Sequence, residues 1–219
     1  MVLGGAVTIE NFLDSVRSKM PELIEILQRF GSPQIRNQGT IGGNLCTSSP
    51  IGDLAPLLMV LNSDINVFGK NGIKKTNIKN FFKGYRKNIL KKDEIILSIE
   101  IPYPNKKNKI FSWKLSKRYD QDISTISLAI NIQTQKNIIK EIQMAAGGVA
   151  LTPKCLDKLC KSMLQKKLDD AIDFATKNLE KHIQPISDFR GSSNYRLESI
   201  KGLFKSCLLY TSDAADDIG

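Results

Sequence analysis

Residues 31–53 read GSPQIRNQGTIGGNLCTSSPIGD, a run of small and polar residues with neither a helical nor a strand period. The run is expected to form an irregular loop. At its centre stands Thr40-Ile41-Gly42-Gly43-Asn44. Paired glycines let a backbone approach a ligand closely or take up a positive φ. A threonine hydroxyl, an asparagine amide and free backbone N–H groups beside them can hydrogen-bond phosphate or ribose.

The flanks of the loop carry clearer periodicities. Upstream, Thr8 is placed to cap a helix over residues 9–19, with Ile9, Phe12, Leu13 and Val16 on one stripe. Pro21 suits the first turn of a second helix that buries Leu23, Ile24, Leu27 and Phe30. Downstream, Asp53 is placed to cap a short helix reaching Leu61. Residues 64–68 and 74–78 flank Gly69-Lys70-Asn71-Gly72 and read as a hairpin. Residues 80–85 read as an aromatic loop, and residues 94–101 as a strand ended by Pro102 and Pro104. The charged run at 106–109 marks a boundary. Strands are then expected at 110–117, 124–132 and 138–145, and helices at 153–164, 169–180 and 193–209. Sequential strands followed by helices give an α+β class, an antiparallel sheet covered by helices.

Composition narrows the function. The chain has 219 residues, 41% of them hydrophobic, enough for one or two cores. Its longest apolar run, residues 54–61, is far short of the ~20 needed to cross a membrane. The first residues lack the pattern of a secretory signal, so a cytoplasmic location is expected. Cys46, Cys155, Cys160 and Cys207 form no C-x2-C pair, and the lone histidine is His182, so no metal or iron–sulfur site is expected. The net charge of +10 comes from lysines scattered along the chain, without the basic and aromatic signature of a specific nucleic-acid binder.

The central string resembles the flavin-binding subunits of molybdenum hydroxylases, especially that of the xanthine dehydrogenases. The resemblance continues through Gly84-Tyr85-Arg86-Lys87, through Glu94-Ile95-Ile96-Leu97-Ser98-Ile99-Glu100-Ile101-Pro102, and through Phe111-Ser112-Trp113-Lys114-Leu115-Ser116-Lys117-Arg118 with Asp120, Asp122 and Ile123. It closes on Arg190-Gly191-Ser192 and Asn194-Tyr195-Arg196. It covers about residues 1–206 and is weakest over 152–186.

This resemblance implies the C-terminal part of a PCMH-type FAD-binding module over residues 1–105. A small flavoprotein C-terminal domain of the CO dehydrogenase kind would follow over 106–206. It implies that Phe30 packs near the flavin, that Thr40, Ile41, Gly42, Gly43 and Asn44 line the dinucleotide, and that Asp53 hydrogen-bonds it. Ile96 would contact the adenine or ribose and Lys114 the flavin ring. Each has a plainer role open to it: core for Phe30 and Ile96, a turn for Thr40–Asn44, a helix cap for Asp53, a surface strand lysine for Lys114. No side chain is assigned as catalytic, because the flavin carries the hydride chemistry. Cys46 is read as a small loop residue rather than a nucleophile.

The resemblance also implies FAD passing electrons to NAD+. The molybdenum cofactor and 2Fe–2S clusters would lie in partners, a molybdenum-binding large subunit and an iron–sulfur domain or subunit. The start, Met1-Val2-Leu3-Gly4-Gly5-Ala6-Val7-Thr8, resembles a segment that follows a first subdomain bearing a second glycine-rich phosphate loop. An N-terminally truncated fragment that binds FAD weakly or not at all is therefore expected. Residues 207–217, CLLYTSDAADD, match the translation of a sequencing-library adapter, so 207–219 are expected to be an artefact tail. Three readings compete: the flavin subunit of a molybdenum hydroxylase acting on CO, nicotinate or an aldehyde; a nonfunctional truncated frame; and a basic polyanion-binding module, which would bind nucleic acid with a steep salt slope.

Overall fold

A computed structural model of the chain describes residues 1–213, with side chains through Ser206. The whole tail expected from Cys207 onward therefore lies outside the described side chains, and 214–219 lie outside the described residues altogether. The chain opens with β1 (Val2–Gly4) and α1 (Ile9–Val16), a single 3₁₀ turn at Pro21–Leu23, and α2 (Ile24–Gln28). Then come α3 (Pro33–Gln38), α4 (Ile41–Cys46) and α5 (Leu54–Val60). The strands β2 (Asp64–Gly69), β3 (Gly72–Asn77), β4 (Phe82–Gly84), β5 (Lys87–Asn88) and β6 (Ile95–Glu100) follow. The second half contains β7 (Lys109–Leu115), β8 (Ile126–Gln135), β9 (Ile138–Gly147) and β10 (Lys154–Cys155), then α6 (Asp157–Met163), α7 (Leu168–Asn178) and α8 (Ser193–Asp213).

Two antiparallel four-stranded sheets organise these elements, in the orders β1-β6-β2-β3 and β10-β9-β8-β7. The second is apolar on both faces. Ile126, Leu128, Ile130 and Ile132 of β8 alternate onto the face covered by α6, α7 and α8, where Leu159, Ala171, Ile172 and Phe204 complete a core. Ala129 and Ala145 turn to the opposite face and join the first core, which holds α1, α2, α5 and the first sheet. Helix α5 is buried at every position and is the element that covers this face.

Several local expectations hold. Thr8 caps α1, its Oγ accepting from the Asn11 amide at 3.2 Å, although the helix stops at Val16 rather than residue 19. The hairpin closes on Gly69 opposite Gly72, with Lys70 and Asn71 as its turn. Others are corrected. The segment from Pro21 is a 3₁₀ turn plus a five-residue helix. Residues 80–85 are not all loop, because Phe82–Gly84 pairs with Lys87–Asn88. The expected linker at 106–109 ends one residue early, since Lys109 already pairs with Ile132.

The largest correction concerns residues 31–53, which contain two six-residue helices instead of one irregular loop. Both are started by side-chain caps: the Ile35 amide donates to Ser32 Oγ at 3.3 Å, and the Gly43 amide to Thr40 Oγ at 3.0 Å. Asp53, by contrast, is not the cap of α5. Its backbone is already helical and its carboxylate caps nothing, because a charge partner elsewhere in the fold claims it.

Candidate functional site

That partner is Lys114. Strand β7 alternates, so Phe111 and Trp113 stack on one face with centroids 5.3 Å apart while Ile110 and Lys114 turn to the other. There the Lys114 ammonium donates to Asp53 Oδ2 at 2.8 Å and to the Arg29 carbonyl at 3.1 Å. The other carboxylate oxygen, Oδ1, accepts a short hydrogen bond from the Ser124 hydroxyl. The lysine side chain is 1% exposed and that of Asp53 9%. A buried charge pair persists when further hydrogen bonds support it, and the Arg29 carbonyl and the Ser124 hydroxyl each supply one here.

The pair lies at the base of a cleft of about 260 Å³. Phe30, Gly31 and Ile35 form one wall, Asn44 and the Ser49–Asp53 turn another, and Gln121, Asp122 and Ile123 the third. Pockets that enclose a drug-sized ligand start at roughly 300 Å³, so this one accommodates one ring system rather than a whole dinucleotide. Its wall residues come from both halves of the chain. An arginine from each side secures the third wall. Arg29 lies 4.4 Å over the Tyr119 ring and donates to the Tyr119 carbonyl at 3.2 Å. Arg190 donates to Asp122 Oδ1 at 3.3 Å. The Arg118 amide, aided by the Ile123 amide and the Arg190 guanidinium, holds the Asp122 carboxyl below its ordinary range despite an opposing push from burial.

Of the nine residues singled out in the sequence, Phe30, Asn44, Asp53 and Lys114 meet in this cleft. Thr40, Ile41, Gly42, Gly43 and Ile96 gather elsewhere, around the turn after β1. The Gly42 amide donates to the Gly5 carbonyl at 2.9 Å and the Ile41 amide to the Val7 carbonyl at 3.0 Å. A Cβ on Gly42 would lie 2.6 Å from the Gly5 oxygen, and one on Gly5 would lie 2.1 Å from the Ile96 oxygen. Three backbones are thus packed without side chains between them, and Ile96 is buried beside them. Gly43 differs, being exposed, with only the Thr40 hydroxyl near its missing Cβ.

Ser124, Arg29 and Gly5 are the contributors the sequence reading missed. Gly5 had a signal in the Gly4-Gly5 pair, whereas nothing local distinguishes Ser124. Among the described residues no three His, Cys, Asp or Glu side chains converge as a metal site, and no helix is long and apolar enough to cross a membrane. Burial pushes the thiols of Cys155 and Cys160 up to about 11 and about 12. Exposed Cys46 is raised as well, so it is no activated nucleophile. With a disulfide reagent at pH 8, Cys46 is expected to react at least about tenfold faster than Cys155 and Cys160, measured by mass-resolved labelling.

Comparison with known proteins gives two family matches. Residues 1–104 match the FAD binding domain in molybdopterin dehydrogenase, and residues 111–211 the CO dehydrogenase flavoprotein C-terminal domain. The glyceraldehyde dehydrogenase medium chain of Sulfolobus acidocaldarius is 33% identical over 192 residues, which cover 87% of this chain and 67% of the relative. Xanthine dehydrogenase/oxidase of Gallus gallus is 31% identical over 190 residues, 78% of this chain and only 14% of that much longer protein. Among solved structures, reconstituted CO dehydrogenase from Oligotropha carboxidovorans superposes with a TM-score of 0.85 at 25% identity, over 93% of this chain and 71% of the other.

Proposed function

The chain belongs to the FAD-binding flavoprotein family of the molybdopterin dehydrogenases, and on that premise we propose that the Phe30–Asn44–Asp53–Lys114 cleft holds the flavin end of FAD. The fold is that family's FAD-binding domain followed by its flavoprotein C-terminal domain. The observation that carries the proposal is the Lys114 ammonium, fixed at 2.8 Å from Asp53 in the floor of a cleft with an aromatic wall. This donor set fits a flat ring with acceptor edges: Phe30 offers a face, Asn44 an amide, Lys114 a fixed positive charge.

FAD, when bound, supplies the hydride and single-electron chemistry. The residues of this chain bind and orient. Phe30 and Ile35 exclude water from one side of the cleft. Asp53 and the Arg29 carbonyl hold Lys114 still, so that its charge costs no reorganisation when negative charge develops beside it. Thr40, Ile41, Gly42, Gly43 and Ile96 would line the remainder of the dinucleotide, with Gly43 as the exposed member and buried Ile41, Gly42 and Ile96 shaping the turn beneath it.

In this reading the chain is the electron-transfer portion of a cytoplasmic xanthine dehydrogenase. It would receive electrons through 2Fe–2S clusters from a molybdenum-cofactor subunit and deliver them to NAD+. The strings at 84–87 and 114–123 support xanthine as the substrate of the complex. A second reading, an aldehyde-oxidising complex, is favoured by the 33% identity across 87% of the chain to the glyceraldehyde dehydrogenase medium chain. The complex assembled with its native partner subunits and supplied with excess FAD is expected to reduce NAD+ with xanthine. Turnover of glyceraldehyde but not xanthine would establish the second reading, and turnover of neither with FAD in excess would sink both.

A further inference from the structure

We infer that Arg196 is a positioning residue for the Asp53–Lys114 pair, acting through the backbone of Thr125 and Gly148. The inference rests on the reading of that pair as part of the cofactor site. Arg196 stands near the start of α8 and is completely buried. Arginine is almost never fully buried without a partner, and here Nη2 donates to both carboxylate oxygens of Asp188, each at 2.7 Å. Nη1 lies between two main-chain carbonyls, Thr125 at 3.1 Å and Gly148 at 3.3 Å.

Each of those residues is tied through its amide to the chain close to one member of the buried pair. The Thr125 amide donates to the carbonyl of Leu115, the neighbour of Lys114, at 2.8 Å. The residue before Thr125 is Ser124, whose hydroxyl holds Asp53. The Gly148 amide donates at 2.7 Å to the carbonyl of Pro50, in the turn that leads to Asp53. One end of the guanidinium therefore sets the spacing between the β7–β8 edge and the Ser49–Asp53 turn.

The surroundings are shaped for it. Gly148 has φ +80°, and a Cβ there would lie 2.4 Å from the Thr125 oxygen and 2.9 Å from Arg196 Nη1. Asp188 is itself held by the amides of Arg190 at 2.8 Å and Gly191 at 3.3 Å, and Arg190 is the residue that secures Asp122 on the cleft wall. Attachment of α8 to the core already has Ile200 and Phe204, both fully buried. An arginine whose Nε finds no partner is a costly way to add to that attachment, whereas its planar fork is what holds two carbonyls and a carboxylate at fixed angles.

The test is lysine footprinting of the full chain with an amine-reactive ester under native conditions, read residue by residue by mass spectrometry. Lys114 is expected to be protected in the parent chain and to label at least about tenfold faster in Arg196→Lys, which keeps the charge and loses the fork. A destabilised control in the same core, Ile172→Ala, is expected to lose comparable thermal stability while leaving Lys114 protected. Should Arg196→Lys not fold, Asp188→Asn serves in its place, with labelling raised several-fold. Unchanged Lys114 labelling in the positioning variant, or an equal rise in Ile172→Ala, overturns the proposal. The footprint needs no flavin, so it can succeed while the cofactor reading fails, and flavin retention in the assembled complex reports on that reading separately.

Discussion

Lys114→Met is expected to lower the free energy of unfolding by about 3–5 kcal/mol, the usual cost of stranding one member of a buried ion pair. Methionine matches the length of the lysine stem, so little of the loss would come from a cavity. What remains is an Asp53 carboxylate 9% exposed, with the Ser124 hydroxyl as its one remaining side-chain partner, and an Arg29 carbonyl without its donor. The double variant Asp53→Leu/Lys114→Met removes both charges together and is expected to recover much of the loss, since apolar replacement of a buried pair is often neutral. Urea unfolding of the two variants and the parent measures both effects. A single-variant loss below about 1 kcal/mol would place the pair among solvent-screened surface bridges and remove the fixed cation from the proposed site. In the assembled complex, Lys114→Met is also expected to lose flavin.

The second large effect separates two glycines that stand side by side. Gly42→Ala drives a Cβ to 2.6 Å from the Gly5 oxygen, and neither backbone can give way without moving β1 or α4. A cost of about 3 kcal/mol is expected, at the upper end of what overpacking produces. Gly43→Ala meets only the Thr40 hydroxyl, at 2.9 Å, a side-chain atom that can shift by a small rotation. In an exposed helical position alanine is favoured over glycine by up to about 1 kcal/mol, so the net change is expected within roughly 1 kcal/mol of zero. Thermal melts of the two variants decide this, and equal losses would show that the stack does not distinguish the two. If Gly43→Ala leaves stability intact yet reduces flavin retention, Gly43 is the glycine that faces the ligand.

The legible parts of this chain are those in which local and tertiary forces agree. Thr8, followed by the Ile9–Phe12–Leu13–Val16 stripe, reads locally as a capped amphipathic helix, and the core that buries the stripe favours the same conformation. Strand alternation at 126–132 and the Gly69/Gly72 turn are equally local. Helices α3 and α4 were not legible, because six residues are too few to show a period and their stability comes from Ser32 and Thr40 caps and from packing of α3 on α1 and of α4 on β6 and α5. Asp53 looked like a cap because Asp before an apolar run commonly is one. A buried ammonium 61 residues away outbids a helix N-terminus for the same carboxylate. The candidate site divided in the same way. Phe30, Asn44, Asp53 and Lys114 were found through the resemblance, whereas the Ser124 hold on Asp53 and the Arg196 bond to Thr125 each span 71 residues of sequence, which no local pattern carries.

Helix α5, enclosed at all seven of its positions between the first core and the Ala129–Ala145 face of the second sheet, has a mechanical consequence. It is a party wall, and the two sheets cannot swing apart as leaves on a hinge without uncovering it on both sides. Asp53 sits at the foot of that wall, so the base of the cleft inherits the rigidity of two cores at once. The compliance needed to admit a planar ring must therefore come from the rim, where Arg29 and Arg190 fasten the 118–123 segment by contacts that solvent can replace.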